Sequence, residues 1–360
     1  MPSRNLPPIL FAVILVSSIP LSAAAQTTAN SPAATNSTAT PAPPAAPTQI
    51  VFSPATLPGN GLAQHPFLYA GETERRRTAQ TISLVRDGQV VWTYSIPNKN
   101  PAGLTQEIGD VWRLSNGNIV FSHETGASEV TPDKKIVWDY EAPAGCEIHT
   151  VQPVDDHRVF LMQNGLPAKA LIINTLTGNI EKQAVIPTTA SSRPHGQFRR
   201  ARLTAADTIL ATHLDEGRVA EYDWQGHELW SYTAPSAWAA TRLKNGDTLV
   251  SREHYGIVEV NPKGETVWQL TQADIPDIKL LNPQEVSRLA NGDTLICNWV
   301  QGSVPLDQWP KVVQLIEVNP AKKVVWAVRA WAPPADLGPA SSTQLLDEPG
   351  SPEKPGDLQR

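Results

Sequence analysis

Residues 193–202 read RPHGQFRRAR, one histidine and four arginines in ten positions. A strand facing a buried core does not tolerate that density of charge unless the groups are paired or face a ligand. Imidazole is a competent nucleophile and proton carrier, and the planar guanidinium fork holds pairs of anionic oxygens. The same residue types recur along the chain: His123 in SHETG, His149 in EIHT, His213 in THLDEG, and Arg252 with His254 in REHYG. His149, His195 and His213 are the candidate catalytic groups, and Arg199, Arg200 and Arg252 the candidate clamps for an acid group. Trp238, Trp299, His123, His254 and Glu285 complete the candidate ligand-binding set, the two indoles offering stacking surfaces for a sugar or aromatic ring. SHETG is half of a metal motif, but no second ligand follows at a helical or hairpin spacing. No metal and no cofactor are therefore expected.

The elements that must position these groups are legible as a repeat. RLSNGNIVFS at 113–122, RLKNGDTLVS at 242–251 and RLANGDTLIC at 288–297 are one phrase, two strand-like runs joined by Asn-Gly. That dipeptide suits tight hairpins because both positions accept positive φ. ARLTAADTILA at 201–211 and VQPVDDHRVFL at 151–161 are degraded copies. A second phrase follows each time (SEVTPDKKIVWDY, AEYDWQGHELWSY, VEVNPKGETVWQL, IEVNPAKKVVWAV) and opens the domain as SLVRDGQVVWTY. It places Trp92, Trp138, Trp230, Trp268 and Trp326 on equivalent outer strands. Four antiparallel strands per unit make a β-propeller blade. Pro97, Pro143, Pro187, Pro235, Pro276 and Pro333 punctuate the outer strands and predict six blades. The fold class is all-β, a six-bladed propeller. HPFLYAGE lacks an inner strand and SSTQLLDE is a spare one, so a C-terminal strand is expected to close the ring on the N-terminal blade.

In this register His149 and His195 fall at inner-strand starts, and His123, His213 and His254 at loops joining second to third strands. Both kinds of position lie on the face where propellers usually bind. Around the channel mouth the equivalent positions are Gly109/Asp110, His149/Thr150, Phe198/Arg199, Trp238/Ala239, Gln284/Glu285 and Ser341/Ser342. They differ in every blade, as an asymmetric site requires, and Glu107 and Glu147 are adjacent to them. The competing reading is that channel polar groups merely bind water. The recurring Arg113, Arg202, Arg242 and Arg288 are expected to pair between blades, and the outer tryptophans to anchor packing.

Residues 1–25 have a charged start, a short apolar run and a small-residue cleavage site, the pattern of a cleaved signal peptide. Residues 26–48 are a Thr/Ala/Pro linker, 49–349 the propeller and 350–360 a C-terminal tail. A periplasmic or secreted protein is expected, with no membrane span in the mature chain. The net charge of −6, with mixed signs, excludes nucleic acid as an obvious partner. Cys146 and Cys297 fall in non-adjacent units and are expected not to be bonded.

The phrase NGDTLVS followed by VEVNPKGETVW resembles the quinoprotein-like propeller repeats of exported bacterial proteins, in particular the six-bladed arylsulfotransferase-like group. The resemblance covers about residues 67–349, and the closing QLLDEPG is shared with exported bacterial propellers. It implies sulfuryl transfer through a channel histidine (His149, His195 or His213), with Arg199 or Arg252 holding the sulfate oxygens. The chain departs from that group in being shorter and lacking its additional N-terminal domain. A quinone-dependent dehydrogenase fits less well, because the chain has six expected blades, no adjacent cysteines and no acidic calcium constellation. The leading expectation is binding of a small anionic or glycan-like ligand at a His/Arg/Trp-lined mouth. The alternatives are sulfuryl transfer and a scaffold for an envelope protein partner.

Overall fold

The computed structural model describes residues 50–189, 193–300 and 302–360. The expected signal peptide and linker, 1–25 and 26–48, lie outside the described residues. The rest forms six four-stranded antiparallel sheets, each one blade. The inner strands of blades 2 to 6 are Ile108–Arg113, Glu147–Pro153, Phe198–Leu203, Ala237–Arg242 and Asn282–Arg288. Blade 1 takes its inner strand from the C-terminal side of the chain. Ser342–Leu345 pairs with Phe67–Ala70 in the register Phe67↔Leu345 and Ala70↔Ser342, as expected.

The sequence produces this fold by local rules applied repeatedly. Gly117, Gly246 and Gly292 of the Asn-Gly turns take φ near +90° (91°, 93° and 90°), a conformation a side chain resists. Apolar residues of neighbouring blades then merge into shared cores, such as Phe160, Met162 and Ile172 of blade 3 with Phe198, Leu203 and Tyr222 of blade 4. The outer tryptophans do more than fill space. Trp92, Trp230 and Trp268 each donate an indole N–H to a turn carbonyl of the next blade, at Pro132 (2.8 Å), Pro262 (3.0 Å) and Pro320 (3.1 Å). Arg242 and Arg288 pair between blades as expected, with Glu221 and with Glu259 (2.5 Å).

Arg202 departs from that pattern. It turns into the channel, onto Asp110 (2.8 Å) and Glu285 (3.1 Å). Arg200 joins Asp110 from the other side and donates to the carbonyls of Gly109 and Ser341, both at 2.6 Å. Asp110 is 0% exposed. Two arginines and two acids thus plug the middle of the channel, a buried network in which every charge is matched. Residues 350–360 are not a free tail. Glu353 accepts from the Ser115 amide, Lys244 lies 3.6 Å from Asp357, and Leu358 and Gln359 pack by Trp112 beneath the far end of the channel.

Five inner strands share one irregularity at the mouth. The ladder skips between Ile108/Val111, Ile148/Thr150, Phe198/Ala201, Ala237/Ala239 and Pro283/Glu285. The residues left out are Gly109, Asp110, His149, Arg199, Arg200, Trp238 and Gln284. A bulge frees its extra residue from strict alternation and re-aims its side chain. Gly109 is required in its bulge, because a Cβ there would lie 2.2 Å from the His149 carbonyl oxygen.

Candidate functional site

The bulges of blades 3 and 4 bring together a closed ring of hydrogen bonds. Arg199, 9% exposed, donates from Nη1 to His149 Nδ1 (3.2 Å) and from Nη2 to His195 Nε2 (2.7 Å). A guanidinium can only donate, so both accepting nitrogens carry lone pairs. The other ring nitrogens, His149 Nε2 and His195 Nδ1, therefore bear the protons. Both donate to the same oxygen, Glu147 Oε2, at 2.9 Å and 3.1 Å. His195 is carried by a short 3-10 helix, Pro194–Gly196, just before the blade 4 inner strand.

The titration behaviour follows from these contacts. Burial and the Arg199 charge push His149 down to about 4. Burial alone would raise Glu147, but the hydrogen bonds from the two imidazoles hold it at about 2. Glu147 draws His195 above its ordinary value, against burial and Arg199. Protonating His195 at Nε2 removes the lone pair that Arg199 uses, so the ring is neutral while the guanidinium is docked.

Three further glutamates, on blades 1 and 2, surround the ring. Glu107 Oε2 is 3.5 Å from Arg199, and Glu124 Oε1 is 3.9 Å from His195. Glu72 accepts from Gln284. Burial and the nearby Glu107 raise Glu72 to about 7; Glu124 is raised to about 7 by burial, Glu107 and Glu147. Glu124 holds a left-handed backbone, φ 28°, costly for a non-glycine residue and concentrated at functional sites. On the other side Arg199 lies over the Trp238 ring at 4.7 Å, and Trp238 meets Trp299 with centroids 6.0 Å apart.

The expected site residues divide on this geometry. His149, His195, Arg199, Trp238 and Trp299 come together. Arg200 and Glu285 belong instead to the plug, where their charges are spent on Asp110 and Arg202. His213 is 0% exposed and packed against Phe198 and Tyr222, whose hydroxyl lies 2.8 Å from its Nε2. It is interior to blade 4, standing across the ladder from Phe198 with its ring against those of Phe198 and Tyr222. His123 faces Ser128 (3.1 Å) and Asp139 within its own sheet. His254 is exposed beside Glu253, and Arg252 sits by the Tyr255 ring at 5.7 Å. Glu72 and Glu124 are what sequence reasoning missed. Glu124 stands next to His123 in SHETG, and the histidine drew the attention.

Ligand atoms of Glu147, His149 and His195 lie within 4.8 Å of one another, close enough to suggest a metal. The outer nitrogens argue against it. A metal-bound neutral imidazole carries a proton on its other nitrogen and donates it to an acceptor. Here both outer nitrogens face a guanidinium, which accepts nothing. The donor set fits a hydrogen-bonded ring better than a coordination sphere.

Four buried polar atoms around this mouth have no hydrogen-bond partner: Glu107 Oε2, which lies 3.5 Å from Arg199 in an ion pair, Glu124 Oε2, Arg199 Nε and Trp299 Nε1. Buried polar atoms are rarely left so, and each one costs roughly 1–3 kcal/mol until a partner arrives.

No family model matches the chain, and no curated protein matches it. Among solved structures, a protein of unknown function from Bacteroides caccae is similar at a TM-score of 0.67 and 26% identity, over 78% of this chain and 97% of that one. A catalytically inactive virginiamycin B lyase from Staphylococcus aureus, with quinupristin, reaches a TM-score of 0.48 at 11% identity, over 75% of this chain and 97% of that one. That second likeness is too distant to bear on the chemistry of the mouth.

Proposed function

We propose that this propeller, exported as residues 1–25 imply, binds a small glycan-like ligand at the channel mouth. The observation that carries the reading is the group of unpartnered donors and acceptors beside the Trp238–Trp299 pair. A polyhydroxylated ring satisfies both kinds at once, since each hydroxyl donates and accepts, while an indole supports its apolar face. The plug below makes the mouth a blind end rather than a conduit. Within the wider expectation of an anionic or glycan-like ligand, the balance favours the glycan. Arg199 already faces Glu107, and carboxylates outnumber free cations around it.

Sulfuryl transfer is less well supported. A histidine carrier needs a lone pair aimed at the donor. His149 and His195 have both nitrogens engaged, and His213 is interior. An envelope scaffold has no specific contact in its favour.

The test is a titration of the intrinsic tryptophan fluorescence with short oligosaccharides of neutral, amino and acidic type. At least one is expected to saturate with micromolar to millimolar affinity, and Trp299→Ala to weaken it while leaving the melting transition in place. If no saccharide produces a saturable change, or Trp299→Ala leaves the binding untouched, the mouth is not the site.

A further inference from the structure

The unpartnered atoms are sorted by kind around the mouth. On blade 2 they are acceptors, Glu107 Oε2 and Glu124 Oε2. On blades 4 and 6 they are donors, Arg199 Nε and Trp299 Nε1. Asn282 adds an independent sign of a missing ligand. It is 0% exposed, neither of its amide atoms has a partner, and it lies directly across the ladder from Trp299, hence on the same sheet face.

Formal charge follows the same division. Arg200 and Arg202 are matched by Asp110 and Glu285 in the plug. Around the ring that leaves Glu72, Glu107, Glu124 and Glu147 against Arg199, because the docked imidazoles are neutral, with Arg75 and Arg77 sharing an outer recess with Glu107. The raised values of Glu72 and Glu124 come first from burial and then from the neighbouring carboxylates, with Arg199 opposing. A site shaped around an anion shows the opposite: surplus cations and carboxylates held low.

We propose that the ligand of this mouth carries a protonated amine, received by Glu107 and Glu124. An ammonium is donor-only and compact, so it supplies what two buried carboxylate oxygens lack. The donors across the mouth require acceptors on the same ligand, which hydroxyl oxygens of a sugar ring provide. The ligand class is thus an amino sugar, and to that extent the inference rests on the glycan reading of this mouth. An aliphatic polyamine shares the ammonium but lacks the ring and the hydroxyls.

Calorimetric titration separates these cases with three probes: a glucosamine trisaccharide, its fully N-acetylated counterpart and spermidine. Acetylation removes the charge and leaves the ring. The free-amine trisaccharide is expected to bind at least about tenfold more tightly than the acetylated one, a difference of ~1.4 kcal/mol. Glu107→Gln and Glu124→Gln, each near-isosteric, are expected to erase that preference by weakening the free-amine trisaccharide at least about tenfold. Spermidine binding as tightly as the amino sugar would uphold the ammonium site and remove the glycan reading. Equal or tighter binding of the acetylated sugar would overturn the ammonium site and leave the glycan reading standing. Silence from all three probes overturns both. Should either variant fail to fold, the three-probe comparison on the unaltered protein still decides the matter.

Discussion

His65 offers a quantitative test of how the ring is closed. It lies just before the Phe67–Ala70 strand and reaches Glu317 of blade 6 (3.3 Å) and Asp347 beyond the C-terminal strand (2.8 Å). One imidazole therefore ties both chain ends to the last blade. The hydrogen bond to Glu317 comes first in raising its pKa from 6.5 to about 9; burial opposes this, and Asp347 adds to it. At full strength a displacement of that size corresponds to about 3 kcal/mol of stability. Asp347 is 42% exposed, so solvent screening reduces the expected contribution to about 1–2 kcal/mol. Because the folded value is raised, the contribution is fully present below the unfolded value of 6.5 and disappears as pH rises through about 9. The assay is urea unfolding of the native protein and His65→Gln at about pH 6.5 and about pH 9.5. The gap between the two proteins should shrink from about 1–2 kcal/mol to below about 0.5 kcal/mol. Glu72 and Glu124 titrate near the lower end of this window but do so in both proteins, so they cancel. A gap that stays flat or widens with pH would show that His65 is not a charged clasp.

Two further outcomes follow from the channel. Arg200→Met leaves Asp110 buried against Arg202 alone, and should cost about 3–5 kcal/mol in chemical denaturation, whereas a double change of Arg200 and Asp110 to apolar residues should recover much of that. Incubation with an aryl sulfate donor and a phenol acceptor should leave the intact mass unchanged, because no imidazole of the mouth has a free lone pair; an added sulfuryl group lost in His149→Ala or His195→Ala would refute the assigned hydrogen-bond ring.

The blades and their closure were legible because they are written as repetition. An Asn-Gly turn, a tryptophan and a proline at fixed spacing each have one structural meaning wherever they recur, and the intact copies identify the degraded ones. The mouth is legible only as a set of positions, and the reason is physical. Alternation along a strand says which side chains share a face, but that rule fails where a bulge intervenes. Each inner strand of blades 2 to 6 carries such a bulge at the mouth. Arg199 and Arg200 are neighbours in FRRAR, yet one completes the histidine ring and the other the plug beneath it. Their fates are decided by Asp110, which stands 90 residues before Arg200, and by His149 with its partner Glu147, His149 standing 50 residues before Arg199. The RPHGQFRRAR stretch is charged because it serves three partners at once: Arg199 holds the two imidazoles, Arg200 and Arg202 neutralise Asp110, and His195 donates a hydrogen bond to the Glu147 carboxylate. Moving either acid would strand an arginine in the channel, so the density of charge in this strand is set by acids that the rest of the fold brings to it.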